Sequence, residues 1–404
     1  MKSFRQILVF SLFLLLSIPA ECHAGPASDP SAGYTGGPAS GSGQQAPNRT
    51  GAIYPEAVSR PGTPNRVTLL AAGDNLVHHQ IYNMAFRPET GTYDFHSLYE
   101  PVKDVISSYD LAVINQETIL VDNPAMYSSY PAFGTPQEIG EALADTGFDI
   151  ILSATNHTWD KGEYGVRNTL NYWKTNYPDI TLLGIHDSPE DWNTIDIVEK
   201  NGIRMAMFNY TYGLNGMHLP GHAYYMVDLL GNRAKFLGDV RAAENLADIT
   251  ICFLHIGEEY HMQPTAFQMS YVQTLVDCGA DVVICAHPHV IEPFQEVVTP
   301  SGNHGVVFWS CGNFISEQVR TESMLGGLAC VTIQKTEENG APVTRVSDYR
   351  FLPVVSHMSM FNAVYMLSDY TEELAAFHYL RYLGQDFTIP RLWAIWQSVT
   401  GEVH

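Results

Sequence analysis

From Arg66 onward, short apolar runs rich in β-branched residues recur, and five of them are followed at once by Asp, Glu, Asn or His. VTLLAAGD closes on Asp74, LAVINQE on Glu117, DIILSATNH on Asn156 and His157, ITICFLH on His255, and DVVICAHPH on His287 and His289. Runs of this length and composition read as strands buried on both faces. The further runs 203–208 and 306–310 read the same way, and helix-like stretches at 136–146, 162–176, 233–246 and 265–278 lie between the runs. Strand–helix alternation predicts an α/β fold. In such sheets the residues just past the carboxyl ends of the strands gather along one edge. The order of the chain thus constrains both the fold and the place where its chemistry collects.

Each terminus has an ordinary explanation when taken alone. Gly73-Asp74 can be a turn, Asn156-His157 a helix cap, Glu117 a solvated turn residue, and His255 a hydrogen-bonded histidine at the edge of the core. His287-Pro288-His289 is more specific, because two imidazoles at i and i+2 on a stiffened turn can converge on neighbouring ions. Carboxylate, amide and imidazole donors without thiolates suit Mn, Fe, Zn or Co better than Ca. A carboxylate can bridge two such ions about 3.5–4 Å apart, where a shared water becomes a nucleophile at neutral pH.

The charge balance limits the partners. With 43 acidic against 21 basic residues the chain carries −22, which excludes a nucleic-acid binder that needs a basic face. An anionic substrate must then be captured by a local positive site, such as bound metal, and not by the overall field. The 45% hydrophobic content is ample for a core and excludes global disorder.

The first residues predict export. Lys2 and Arg5 precede an apolar run at 7–19, and Cys22-His23-Ala24 offers small residues for cleavage. The run is short for a ~30 Å hydrocarbon core, which needs about 20 residues. An uncleaved anchor is the competing reading, so the protein is expected to be secreted or held at the cell surface. Residues 25–65, rich in Gly, Pro, Ser and Ala, read as a flexible linker. The remaining cysteines, Cys252, Cys278, Cys285, Cys311 and Cys330, have no paired zinc-site spacing and read as buried free thiols.

The segments GDNLVHHQIY, NQET, ATNHTWDKGEYG, HIGEEYHMQPTAFQMSYVQTLVDCGADVVICAHPHVIEPFQ and VFWSCGNFISEQ together resemble the CapA family of capsule and poly-γ-glutamate biosynthesis proteins. That family is a branch of the calcineurin-like metallophosphoesterases, and the likeness covers roughly residues 66–330. It implies a four-layer α/β sandwich, two packed sheets flanked by helices, with two divalent ions at one edge. Asp74, Glu117 and His289 would bind one ion. Glu117, Asn156, His255 and His287 would bind the other, and His157 would contact the substrate oxyanion or leaving group. Two positions depart from the wider superfamily pattern. Glu117 stands where most members have Asp, and Leu76 where a histidine ligand is usual.

Other candidates follow from neighbouring residues. If the chain enters a helix after Asp74, positions i and i+4 share a face, so His78 is a further candidate ligand; otherwise it is a polar residue at a helix start. Arg320 is a candidate substrate-binding cation or a surface ion pair. Glu258, Glu259 and Tyr260 either orient the imidazoles or form a solvated loop. Asp160 reads as a turn residue and Asn313 as a loop anchor. The expected organisation is a signal at 1–24, a linker at 25–65, a catalytic domain at 66–335 and an extension at 336–404 packed upon it. Two functions remain. One is a metal-dependent hydrolase of a phosphoester or a γ-glutamyl amide in an anionic polymer. The other is a non-catalytic accessory that handles polymer within a membrane synthase complex.

Overall fold

The computed structural model describes residues 62–402. The expected signal and the linker up to residue 61 lie outside the described residues. In chain order the main strands are β1 (Arg66–Asn75), β2 (Leu111–Asn115), β3 (Ile150–Leu152), β4 (Thr181–Leu183), β5 (Asp196–Lys200), β6 (Ile203–Thr211) and β7 (Ile249–His255). They continue with β8 (Val282–Ala286), β9 (Phe294–Val298), β10 (His304–Phe308), β11 (Asn313–Ile315), β12 (Leu325–Glu338), β13 (Ala341–Met358) and β14 (Asn362–Met366). One sheet runs β14-β13-β12-β1-β2-β3-β4, with β11 also paired to β1, and the other runs β9-β10-β8-β7-β6-β5. The strands β1, β2, β3 and β4 are mutually parallel, as are β6, β7, β8 and β10.

The apolar runs are continuous because both faces of each strand are covered. Alternate residues point to opposite faces. Val67, Leu69 and Ala71 of β1 meet Met205 and Met207 of β6 and Ile251 and Phe253 of β7 in the core between the sheets. The intervening Leu70 and Ala72 turn outward under α1 (Ile139–Thr146) and α2 (Gly162–Asn176), through Ile139, Leu143 and Trp173. On the other side, Cys252 and Leu254 pack under α3 (Arg233–Ala243) and α4 (Ala266–Asp277), through Phe236, Val240, Val272 and Leu275. The result is helix, sheet, sheet, helix, the four-layer α/β sandwich expected. All five described cysteines are buried free thiols. Among the described residues no helix is long and apolar enough to cross a membrane.

The C-terminal segment is built into this sandwich. Position 335/336, expected to separate two units, falls inside β12, and β13 and β14 continue the first sheet beyond it. Asn339 and Gly340, both with positive φ (53° and 81°), form the tight turn that joins β12 to β13. The helix α5 (Ile389–Thr400) sends Leu392, Ile395 and Trp396 into the core between the sheets. Residues 371–383, whose sequence pattern reads as a single helix, form two, Glu372–Phe377 and Tyr379–Tyr382. The break is at His378, whose extended backbone caps the second piece. Its imidazole stacks on Phe387 with ring centroids 3.7 Å apart and reaches the Ser356 carbonyl at 3.2 Å. That buried attachment overrides local helix propensity.

One glycine governs how β1 approaches its neighbour. The Asp74 N–H donates to the Gly312 carbonyl at 2.9 Å, and a Cβ on Gly73 would lie 2.0 Å from that same oxygen. The substitution Gly73→Ala should therefore separate β1 from residues 311–313. We expect a loss of about 1–3 kcal/mol of unfolding free energy, the usual cost of overpacking, measured by urea denaturation.

Candidate metal centre

The parallel strands of both sheets end at one edge, where their exits deliver the polar residues. Asp74 lies near the end of β1, Glu117 two residues beyond β2, Asn156 and His157 beyond β3, His255 at the end of β7, and His287 and His289 beyond β8. All of these are buried, with Asp74 and His255 wholly so. His289 Nδ1 lies 3.1 Å from Asp74 Oδ2, and the His287 backbone N–H donates to the same oxygen at 3.2 Å. His255 Nε2 lies 3.0 Å from Asn156 Oδ1 and 3.8 Å from Glu117 Oε1, while its Nδ1 is 3.9 Å from Asp74 Oδ1. His289 Nε2 is 3.8 Å from Glu117 Oε1. The rings of His255 and His287 have centroids 4.9 Å apart. The six residues expected as ligands thus converge on one buried point.

The backbone there is held in an uncommon conformation. His287 and His289 both have positive φ, 103° and 57°, although neither is glycine. Such angles are sparsely populated for residues with a Cβ and persist where the surroundings enforce them.

The electrostatics favour a cation. Burial, reinforced by the nearby Asp74 charge, pushes the Glu117 carboxyl well above its usual range. Burial, followed by the neighbouring His287, holds His255 well below its usual value, and burial brings His287 down to about 3. His289 is pulled both ways. Burial disfavours its charged form, but Glu117 and Asp74 prevail and raise it to about 9. Both carboxylate oxygens of Glu117 and Nδ1 of His287 are buried without a hydrogen-bond partner. Such orphans are rare in folded proteins and mark a site for an ion or water. One donor atom from each of Glu117, His287 and His289 lies within 4.8 Å of the others, a spacing able to hold a metal ion. Oxygen and imidazole donors suit a divalent transition metal.

Supporting residues complete the centre, and several of them were not singled out in the sequence. Asn115 donates to Asp74 Oδ1 at 2.7 Å and lies 3.3 Å from His255 Nδ1, so it fixes both. Its position two residues before Glu117, on the same strand face, was the available signal. Asp160 does more than shape a turn. Its Oδ2 lies 2.7 Å from His157 Nδ1 and accepts the Phe133 N–H at 2.6 Å. Asn215 accepts from Asn156 Nδ2 at 3.2 Å, and the Tyr212 ring lies 4.7 Å from that of His287. Neither could be placed from sequence, because both sit on a loop with no strand-end signal. Asn313 anchors its loop through the His289 and Ser323 carbonyls, and its Oδ1 is 3.1 Å from His289 Nδ1.

The last two candidates lie around this centre. His78 caps the short helix His79–Ala85. Its ring meets Phe133 edge-on at 5.3 Å, and Phe133 meets His157 in turn at 4.7 Å. Burial lowers the His78 imidazole to about 4, and its Nδ1 lies 3.0 Å from the Leu76 carbonyl. Arg320 lies over the Tyr260 ring at 4.2 Å, and that ring is 6.2 Å from His289.

The chain is similar to several known proteins. The family model described as bacterial capsule synthesis protein PGA_cap matches residues 68–318. The chain is 28% identical over 187 residues to a capsule biosynthesis protein CapA of Bacillus anthracis, covering 45% of this chain and 43% of the relative. It is 27% identical over 219 residues to a PGA biosynthesis protein CapA of Bacillus subtilis (strain 168), covering 54% and 56%. The chain thus spans about half the length of the curated relatives it matches. Among solved structures it is similar to a calcineurin-like phosphoesterase, YfkN from Bacillus subtilis. The TM-score is 0.37 at 11% identity, over 81% of this chain and 98% of that one. It is also similar to the NAD nucleotidase of Haemophilus influenzae, with a TM-score of 0.43 at 12% identity, over 82% and 60%.

Because one carboxylate oxygen of Asp160 serves two donors, its replacements should separate. Asp160→Ala leaves the Phe133 N–H unpaired in a buried setting, removes the 2.7 Å partner of His157 and should cost about 1–3 kcal/mol. Asp160→Asn keeps an acceptor oxygen and should recover most of that loss. Urea unfolding of the three proteins side by side measures the difference.

Proposed function

The chain belongs to the PGA_cap family of bacterial capsule synthesis proteins, and on that premise we propose that it is an exported metal-dependent hydrolase of capsule polymer metabolism. Its target bond is a phosphoester or a γ-glutamyl amide in an anionic substrate. The observation that carries this reading is the buried Glu117, whose two oxygens lack partners amid Asp74, Asn156, His255, His287 and His289. Two carboxylates and three imidazoles assembled without thiolates form a donor set for two divalent ions, Mn, Fe or Zn. Asp74, Glu117 and His289 would hold one, Asn156, His255 and His287 would hold the other, and Glu117 would serve both.

When bound, such ions supply a polarised substrate oxygen and a water acidic enough to attack at neutral pH. The remaining work falls to the chain itself. Asn115 fixes Asp74 and His255 before substrate arrives, so no reorganisation is needed at the reacting centre. His157 donates its Nδ1–H to Asp160, which leaves Nε2 to pass a proton to the leaving group. The Asp160 carboxylate also holds the ring in the orientation that this role requires. The burial of the donors limits the number of waters that compete for them.

The two ion sites are unequal. Leu76 is buried and supplies no donor at the position where the wider superfamily has histidine, so the Asp74 site has fewer protein ligands. Titration of metal-free full-length protein with Mn or Zn should show two steps of different affinity. His287→Ala should abolish the tighter one, and His78→Ala should weaken only the looser one if its imidazole joins there. Two equal steps would remove the asymmetry, and failure to take up any divalent ion would sink the reading.

Activity is tested on phosphodiester and γ-glutamyl probes. His157→Ala should reduce turnover about 10²–10⁴-fold, the usual contribution of a general acid, with metal content unchanged. Full metal occupancy without turnover of either probe would instead assign the protein as an accessory of a membrane synthase.

A further inference from the structure

Arg320 stands on the loop between β11 and β12, two residues beyond the end of the family match at 318. Its side chain is exposed, yet among the described residues no carboxylate lies within the 4.0 Å of an ion pair and no acceptor is bonded to its guanidinium. In a chain of net charge −22 an unpaired arginine beside a buried centre is unexpected. Among the described residues the alternative of a surface ion pair does not hold.

We propose that Arg320, stacked on Tyr260, binds an oxyanion group of the ligand remote from the reacting atoms and so selects which ligands the centre accepts. A guanidinium lying flat on an aromatic ring keeps its in-plane N–H donors free, and their fork matches a carboxylate or a phosphate. The proposal rests on the centre described above, but not on that centre turning over a substrate.

Both partners are fixed in place. Tyr260 has φ 65°, a left-handed conformation costly for an aromatic residue, and its N–H donates to the Pro288 carbonyl at 2.7 Å. The imidazole segment thus carries the ring with it. From the other side, Gln318 Nε2 reaches the Tyr260 hydroxyl at 3.4 Å, and Gln318 Oε1 accepts from Asn313, which touches His289. The backbone on either side of Arg320 is clamped by a single residue of the C-terminal segment. Gln385 Nε2 donates to the Val319 carbonyl at 2.7 Å, and Gln385 Oε1 accepts the Thr321 N–H at 3.1 Å. Arg391 on α5 adds a 2.8 Å bond to Glu322 on the same loop. Gln385 is accordingly a positioning residue for Arg320.

The test is calorimetric binding to metal-loaded full-length protein. The probes are a γ-glutamyl trimer, its amide counterpart and inorganic pyrophosphate. Arg320→Gln should weaken an anionic probe about tenfold or more and leave the neutral amide unchanged. Arg320→Lys, which keeps the charge without the fork, should recover part of the loss. Gln385→Ala should shift the preference for anion over amide in the same direction at constant metal content, which a general loss of packing would not do. Dependence of the trimer on Arg320 identifies a carboxylate, and dependence of pyrophosphate alone identifies a phosphate; either supports the proposal. Equal binding of every probe by wild type and Arg320→Gln overturns it, as does an equal loss for the amide or an absence of anion-dependent binding in wild type. Turnover is measured separately, and its absence alongside Arg320-dependent binding removes the hydrolase reading while leaving this one standing.

Discussion

Two carboxylates are buried within reach of the same imidazoles, and the rest of the structure is arranged around tolerating them. An ionised carboxylate removed from water costs several kcal/mol unless it is paired. Asp74 is compensated by Asn115, by the His287 N–H and by His289. Glu117 has no hydrogen bond on either oxygen, and only the rings of His255 and His289 approach it, each at 3.8 Å. A bound cation would supply the partner that its oxygens lack. Everything that fixes these side chains is stiff. They stand on strand ends braced by a core shared between two sheets, on the close Gly73–Gly312 contact, and on left-handed backbone at His287 and His289. Such rigidity holds the unpaired groups apart from the nearest donors.

The candidate centre was readable in the sequence for a simple reason. Parallel strands buried on both faces produce uninterrupted apolar runs, and the first polar residue after such a run marks the sheet edge. Asp74, His255 and His287 each follow this rule, and the structure brings them together. Other residues escaped. Asn115 ends β2 just ahead of Glu117, and nothing in the local pattern shows that its amide holds two of the other donors. Asp160 was read as shaping a turn because nothing in the local pattern reveals that its carboxylate returns three residues to His157. Asn215 and Tyr212 come from a connection whose path is set by tertiary packing alone.

The edge strands and the short elements show the same division. β5 and β9 lie at the ends of the second sheet, half exposed and rich in polar residues, so neither has the apolar signature of the central strands. The interruption at His378 was likewise hidden, since helical periodicity continues through it and only the stacking on Phe387 opposes it. Local pattern identifies an element where burial is symmetrical and fails where a single long-range contact decides.

That distinction bears on how the C-terminal segment is understood. The family likeness ends near residue 330, and the segment beyond 335 was expected as an appended piece, but β13 pairs along the whole length of β12, and Trp396 packs on Phe351 with ring centroids 4.9 Å apart in the core between the sheets. Removing the segment would strip one edge from the first sheet and open the core, exposing apolar surface that costs about 25 cal/mol per Å². The same segment supplies Gln385 and Arg391 to the loop that carries Arg320. Structural support and the presentation of the rim cation are therefore one function of a single stretch of chain. A change in this segment that alters the lie of α5 would reach the rim through Gln385 and Arg391 without touching any donor of the buried centre.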